Sequence, residues 1–201
     1  MLRTNRFEAF SDGVFAIAIT ILVLELGVPE GSIDHPVQSF LDQWPTYLAY
    51  VISFASVGAI WLEHNAITEH LRFTDTVLVR LNLLLLLVVS FLPFPTGLIS
   101  EFHGSAGAEQ VAVTLFGLTL LAASAMISVL WRHAVREQLV QEDLGDEDAQ
   151  ALVKRLNPSI WGYVVLITAG LVVPHVAVFG YLVIAIILIL PIRRRGTTQQ
   201  G

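Results

Sequence analysis

The chain has 201 residues, 55% of them hydrophobic and 14% charged, with a formal net charge of −6 and a mean hydropathy of +0.70. A soluble domain carries about a quarter charged residues, so the composition excludes a soluble globular protein and marks an integral membrane protein. Cysteine is absent, which excludes disulfides and thiolate-held metals, and no basic or aromatic pattern of the kind that grips nucleic acid is present.

A membrane-crossing helix needs roughly 20 mostly apolar residues, and the sequence predicts six of them, at 8–28, 45–64, 78–99, 110–132, 158–173 and 176–192. The first follows Arg6-Phe7-Glu8-Ala9-Phe10-Ser11-Asp12 without a break. An ionised side chain in a bilayer costs several kcal/mol, on the order of 3, unless it faces protein or water, so this helix is expected to line or brace a functional site. At about 100° per residue, Phe10, Ile17, Ile21 and Leu24 share one stripe, with Val14 and Thr20 at its edges and Asp12 well away from it. Basic residues before an apolar run resemble a signal peptide, but no small-residue cleavage site follows Leu26 and five more spans do.

The second span ends in Trp61-Leu62-Glu63-His64-Asn65, with Trp61 and His64 one turn apart on one face. Asn82 begins the third span, Ser90 sits in its middle, and Pro93 and Pro95 break its far end. Such lone polar residues usually make interhelical hydrogen bonds. Partners open to Asp12 are Arg6, His64, Asn82 and Trp61. Trp44, Trp131 and Trp161 fit an interfacial aromatic belt. Read as one helix, 158–192 would extend about 50 Å, so Pro174-His175 is expected to turn a tight hairpin. Glu142, Asp143, Asp146, Glu147 and Asp148 form a solvated acidic run.

Six spans with both termini cytoplasmic put all eleven basic residues on one side, leaving none in the opposite loops 29–44 and 100–109. Those loops carry Glu30, Asp34, Asp42, Glu101 and Glu109, an arrangement that would concentrate cations, although the sorting of basic residues to the inside alone leaves outer loops acidic. One membrane domain, 1–195, and a short polar tail, 196–201, account for the chain.

Arg6-x-x-x-Phe10-Ser11-Asp12 resembles the signature of the transmembrane protein 175 family of potassium channels, and Trp61, His64, Asn82, Pro93 and Phe94 resemble the pattern of its prokaryotic members. The resemblance implies an all-α, six-span homotetramer in a prokaryotic plasma membrane, with four first helices around a central pore. It also implies a potassium-selective channel, with lipid, potassium ions and other copies of itself as partners. Arg6, Phe10, Ser11, Asp12, Trp61, His64 and Asn82 would hold the pore helix. Ile17, Thr20, Ile21 and Leu24 would form the constriction, passing potassium ions near Ile17, Thr20 and Leu24. No fixed metal or other cofactor is implied. Rings of Ile17 and Leu24, about 10 Å apart, would gate by dewetting and favour potassium over sodium because it sheds water more easily. A Thr-Val-Gly-Tyr-Gly filter is absent, and isoleucine stands at 17 where some bacterial relatives have leucine.

Two rival readings follow from the residues. A proton-coupled secondary transporter would use Asp12, Glu63 and His64 as a relay, although transporter sites usually lie at the midplane between broken helices. A membrane enzyme would draw on Glu63, His64, Glu69 and His70, but no two of these histidines stand at the i, i+4 spacing of a helical metal site, so catalysis is not expected.

Overall fold

The computed structural model describes residues 4–27, 35–102, 104–141 and 146–190, with the backbone alone for 106 and 146–157. The polar tail, Arg3, Arg193 to Arg195, Glu30, Asp34 and the side chains of the acidic run, Lys154 and Arg155 lie outside the described residues.

Helix α1 runs Thr4–Ile21 and tightens into a 3-10 turn at Leu22–Glu25; α2 is Pro36–Asp42, α3 Trp44–Thr68, α4 Thr76–Phe91 and α5 Pro93–Glu101. The chain continues as α6, Ala106–Arg136, α7, Asp146–Gly170, and α8, Pro174–Ile189. Four helical stretches are long and apolar enough to cross a membrane: Thr4–Glu25, Trp44–Thr68, Thr76–Glu101 and Gly107–Arg136. Pro158–Gly170 and Pro174–Ile189 are shorter apolar helices.

The sequence dictates most of the boundaries. Proline, which lacks the amide hydrogen and has a preset φ, sits in the first turn of α2, α3, α5 and α8. Pro93 interrupts the third span where expected, but Leu92 keeps helical dihedrals, φ −54° and ψ −37°, so α5 continues α4. Pro174 opens α8 rather than forming the hairpin turn, which lies at 171–173. The reason is the same preference of proline for the first helical position. The short α2 was not predicted; its apolar residues Val37, Phe40 and Leu41 are all exposed.

Helix α6 is the centre of the bundle, and Ala112, Val113, Phe116, Leu120, Ala123, Ile127, Leu130 and Trp131 along it are buried. It packs against α3, α4, α5, α7 and α8. Gly117 makes room for α7 and α8 against α6, since a Cβ there would strike the Tyr181 hydroxyl and the Ile167 side chain. Ser53 and Thr96 hydroxyls meet at 2.7 Å and Thr46 and Ser100 hydroxyls at 2.6 Å, tying α3 to α5. Among the described residues helix α1 packs chiefly on α3 and α4, with its terminal turn on α3 and α5.

At the bundle end holding the α3–α4 connection, residues 69–73 dock on 139–141. The Arg72 and Phe73 amides both donate to the Leu139 carbonyl, and the Gln141 amide donates to the His70 carbonyl. This covers Trp131, whose ring lies edge-on to His70 at 6.2 Å. Trp131 is thus fully buried, and the belt reading is corrected for it; Trp44 and Trp161 remain exposed, at 55% and 70%. Asp75 caps α4, its Oδ1 accepting from the Leu78 amide at 2.7 Å, and its Oδ2 stands 3.0 Å from His133 Nε2 on α6. Desolvation alone pushes the Asp75 carboxyl up, but the Leu78 hydrogen bond and the bond and charge of His133 outweigh it and hold it below the usual carboxylate value.

Helix α6 ends with Gln138 at φ 52°. The Leu139 amide reaches the Ala134 carbonyl and the Gln138 amide reaches the Val135 carbonyl, the paired bonds of a Schellman cap with glutamine where glycine is usual.

Candidate functional site

Along α1, Phe7, Ser11, Phe15, Ala18 and Leu22 are buried, a spacing that places them on one helical face. The Ser11 hydroxyl donates to the Phe7 carbonyl at 2.9 Å and accepts from Asn82 Nδ2 of α4 at 2.8 Å. Asn82 Oδ1 then meets His64 Nε2 of α3 at 2.9 Å. Because the amide nitrogen is committed to Ser11, Oδ1 must accept, and His64 donates from Nε2. His64 and Asn82 are each 2% exposed. One buried chain, Ser11–Asn82–His64, therefore joins three helices.

Aromatic contacts fix the imidazole from α1. Phe7 stacks on His64 at 6.0 Å with an 18° interplanar angle, and Phe15 lies at 5.5 Å and 50°. Neither phenylalanine was singled out from sequence. The available signal was their position one turn either side of Ser11, on the face that buries it.

A second attachment lies at the rim of this contact. Trp61 Nε1 donates to Asp12 Oδ1 at 2.9 Å. Of the four partners open to Asp12, the fold supplies Trp61. Arg6 is exposed, and Asp12 is exposed in the single chain, so the carboxylate is not the buried group its apolar surroundings in sequence suggested. Asp12 and His64 bond different partners, and no hydrogen bond joins the transporter-like pair directly. Ser90 bonds its own helix, at the Leu87 carbonyl. Glu63 is buried, 3% exposed, in α3.

The opposite face of α1 is open. Phe10 is 56% exposed, Ile17 59%, Ile21 41% and Leu24 75%. Thr20, also exposed, donates from Oγ1 to the Ile17 carbonyl at 2.9 Å, which leaves its oxygen able to accept. The 3-10 turn lengthens this stripe: about 1.5 Å per residue to Ile21 and about 2.0 Å beyond it separate Ile17 and Leu24 by about 12 Å rather than the 10 Å of a continuous α-helix. The motif thus divides, with Ser11 and Asp12 bonded to the bundle and Arg6 and Phe10 exposed. Among the described residues no group of three or more metal-ligating side chains occurs.

Comparison with known proteins places this architecture. Residues 6–93 match the family described as "Endosomal/lysosomal potassium channel TMEM175". The chain is 40% identical over 166 residues to a potassium channel of Chamaesiphon minutus, covering 79% of this chain and 80% of that one. It is 39% identical over 140 residues to a potassium channel of Streptomyces collinus, covering 68% and 66%. Among solved structures it superposes on the crystal structure of a lysosomal potassium-selective channel TMEM175 homolog from Chamaesiphon minutus with a TM-score of 0.83, 36% identity, and coverage of 92% and 95%.

Proposed function

The chain belongs to the TMEM175 family, a family of ion channels rather than enzymes, and from that premise we propose that it is a potassium channel in which four copies surround a central pore lined by α1. The observation that carries the reading is the division of α1 into a face bonded to α3 and α4 and a face of Phe10, Ile17, Thr20, Ile21 and Leu24 left open in the single chain. Four such faces brought together enclose an axis.

In this reading all six apolar segments cross the membrane of a prokaryotic cell with both termini cytoplasmic, because that arrangement gathers every lysine and arginine on one side. Ile17 forms the narrow apolar ring and Leu24 a second ring beyond it. A wide ring of branched aliphatics holds water and a narrow one expels it, so small rotations or displacements of α1 open and close the path by wetting. Potassium gives up its hydration shell more readily than sodium and crosses the dry section at lower cost. The Thr20 hydroxyls, still able to accept, replace part of the lost water. The Ser11–Asn82–His64 chain and the Trp61–Asp12 bond set the rotation of α1, and hence which residues face the axis. The names of the bacterial relatives favour a channel over a carrier.

Reconstitution of the purified protein in liposomes tests the reading. A potassium gradient is expected to drive rapid, non-saturating flux, with slower flux when sodium is the sole cation. Ile17→Asn, which wets the ring, is expected to raise sodium flux relative to potassium. An unchanged ratio in that variant would remove Ile17 from the selectivity mechanism, and saturable or absent flux in the wild type would remove the channel.

A further inference from the structure

The bundle end remote from the Trp61–Asp12 bond holds a charged group that ion passage along α1 does not use. Glu109, in the first turn of α6, is 7% exposed. Its Oε1 lies 2.7 Å from Nδ1 of His175, in the first turn of α8, whose side chain is 64% exposed. The pair forms one wall of a partly open cleft of about 70 Å³ whose other walls are almost wholly apolar: chiefly Trp44, Leu48, Ile99, Val178 and Phe179. The helices that frame it are α3, α5, α6 and α8.

The chemistry of this cleft is selective. A carboxylate with little access to water attracts a cation strongly, because few competing dipoles screen it. Indole and phenyl faces add attraction for a cation that carries alkyl groups. The surroundings reinforce the sign: lysine and arginine are absent from residues 7–71, 81–131 and 156–192, the stretches that supply every lining residue, whereas Glu25, Asp42 and Glu101 lie near helix ends on this side. An anion finds no partner here. A strongly hydrated inorganic cation gains nothing from the apolar walls.

We propose that this cleft binds a lipophilic ammonium ion from solution, its alkyl group among Leu48, Ile99 and Val178 and its nitrogen at Glu109, in the position that the His175 imidazole occupies in the free protein. His175 then acts as an internal stand-in for the ligand. Being largely exposed, it has room to withdraw.

Hexylammonium titrated calorimetrically into the purified protein in an uncharged detergent tests this, with hexan-1-ol as a neutral probe of the same chain. Hexylammonium is expected to saturate. Glu109→Gln and the replacement of hexylammonium by hexan-1-ol are each expected to weaken binding at least tenfold, the size of a lost charge-assisted hydrogen bond. His175→Ala, which removes the competitor and leaves Glu109 in place, is expected to tighten it. Equal binding of hexan-1-ol, equal binding by Glu109→Gln, or a loss in His175→Ala matching that of Glu109→Gln would overturn the proposal. Saturation seen only as competition with phosphatidylethanolamine in bilayer discs, and never in micelles, would give the cleft to a lipid amine and overturn it as well.

Discussion

The chain Ser11–Asn82–His64 makes a quantitative prediction. Asn82→Ala removes two hydrogen bonds at once, to Ser11 Oγ at 2.8 Å and to His64 Nε2 at 2.9 Å, both buried. An interhelical hydrogen bond within a membrane contributes about 0.6 kcal/mol on average and at most about 1.7, which puts the two bonds together at about 1.2 kcal/mol. The orphaned partners raise this, since a buried polar group left unsatisfied costs about 1–3 kcal/mol. Ser11 keeps its bond to the Phe7 carbonyl, but His64 loses its one partner while its Nδ1 already has none. The penalty therefore falls chiefly on His64, and the total is about 2–4 kcal/mol. Besides the Ser11 hydroxyl's bond to the Phe7 carbonyl, Ser11→Ala removes the Ser11–Asn82 bond, at about 1–2 kcal/mol in all. Because that bond is counted in both single variants, the double variant is expected to fall short of their sum by about 0.6–1 kcal/mol. Reversible unfolding in mixed micelles, followed by tryptophan fluorescence, measures all four corners of the cycle. A coupling below about 0.3 kcal/mol, the ordinary scatter of independent sites, would show that the Ser11–Asn82 bond contributes nothing to the attachment of α1.

Asp75 supplies a pH dependence of determined sign. Its folded pKa is lowered from 3.8, so its contribution to stability is complete above that value and fades as pH falls through the lower folded one; Asp75→Asn is expected to flatten the acid limb of a stability-against-pH curve, and an unchanged limb would refute the assignment. Gln138 holds a left-handed φ of 52° that costs about 1 kcal/mol or more for a residue with a side chain. Gln138→Gly is expected to stabilise the protein by about 0.5–1 kcal/mol in the same unfolding assay, and destabilisation would mean that the glutamine side chain makes a contact worth more than the strain.

The sequence makes some parts of this architecture legible and hides others. Apolar runs, the prolines at 93 and 174 and the polar residues at helix ends are local signals: four of the apolar runs form helical stretches of membrane-crossing length, and Pro93 and Pro174 each open a helix. Ser11, Asp12, Trp61, His64 and Asn82 stand out because a polar side chain amid apolar ones needs a partner, and the fold brings all five into two sets of hydrogen bonds. Which residue meets which depends on helix rotation, and so the choice among four partners for Asp12 stayed open. Phe7 and Phe15 escaped notice for the opposite reason: an aromatic residue in a membrane helix carries no sign of whether it faces lipid or an imidazole. Trp131 misled because its place near a helix end suits the interface, whereas its burial comes from residues 69–73 folding over it. The turn at 171–173, the 3-10 tightening at Leu22–Glu25 and the left-handed Gln138 are set by tertiary packing and cap geometry, which composition and periodicity do not encode.

The peripheral placement of α1 bears on how such a protein can change over generations. The remaining helices have a centre of their own in α6, and α1 joins them through a single face. Ile17, Thr20, Ile21 and Leu24 are exposed in the subunit, so substitutions there alter the open surface more than the packing beneath it. Substitutions at Phe7, Ser11 or Phe15 do the reverse. Inheritance can therefore vary the open face of α1 at little risk to the folding of the subunit, and one scaffold can carry many different outer surfaces.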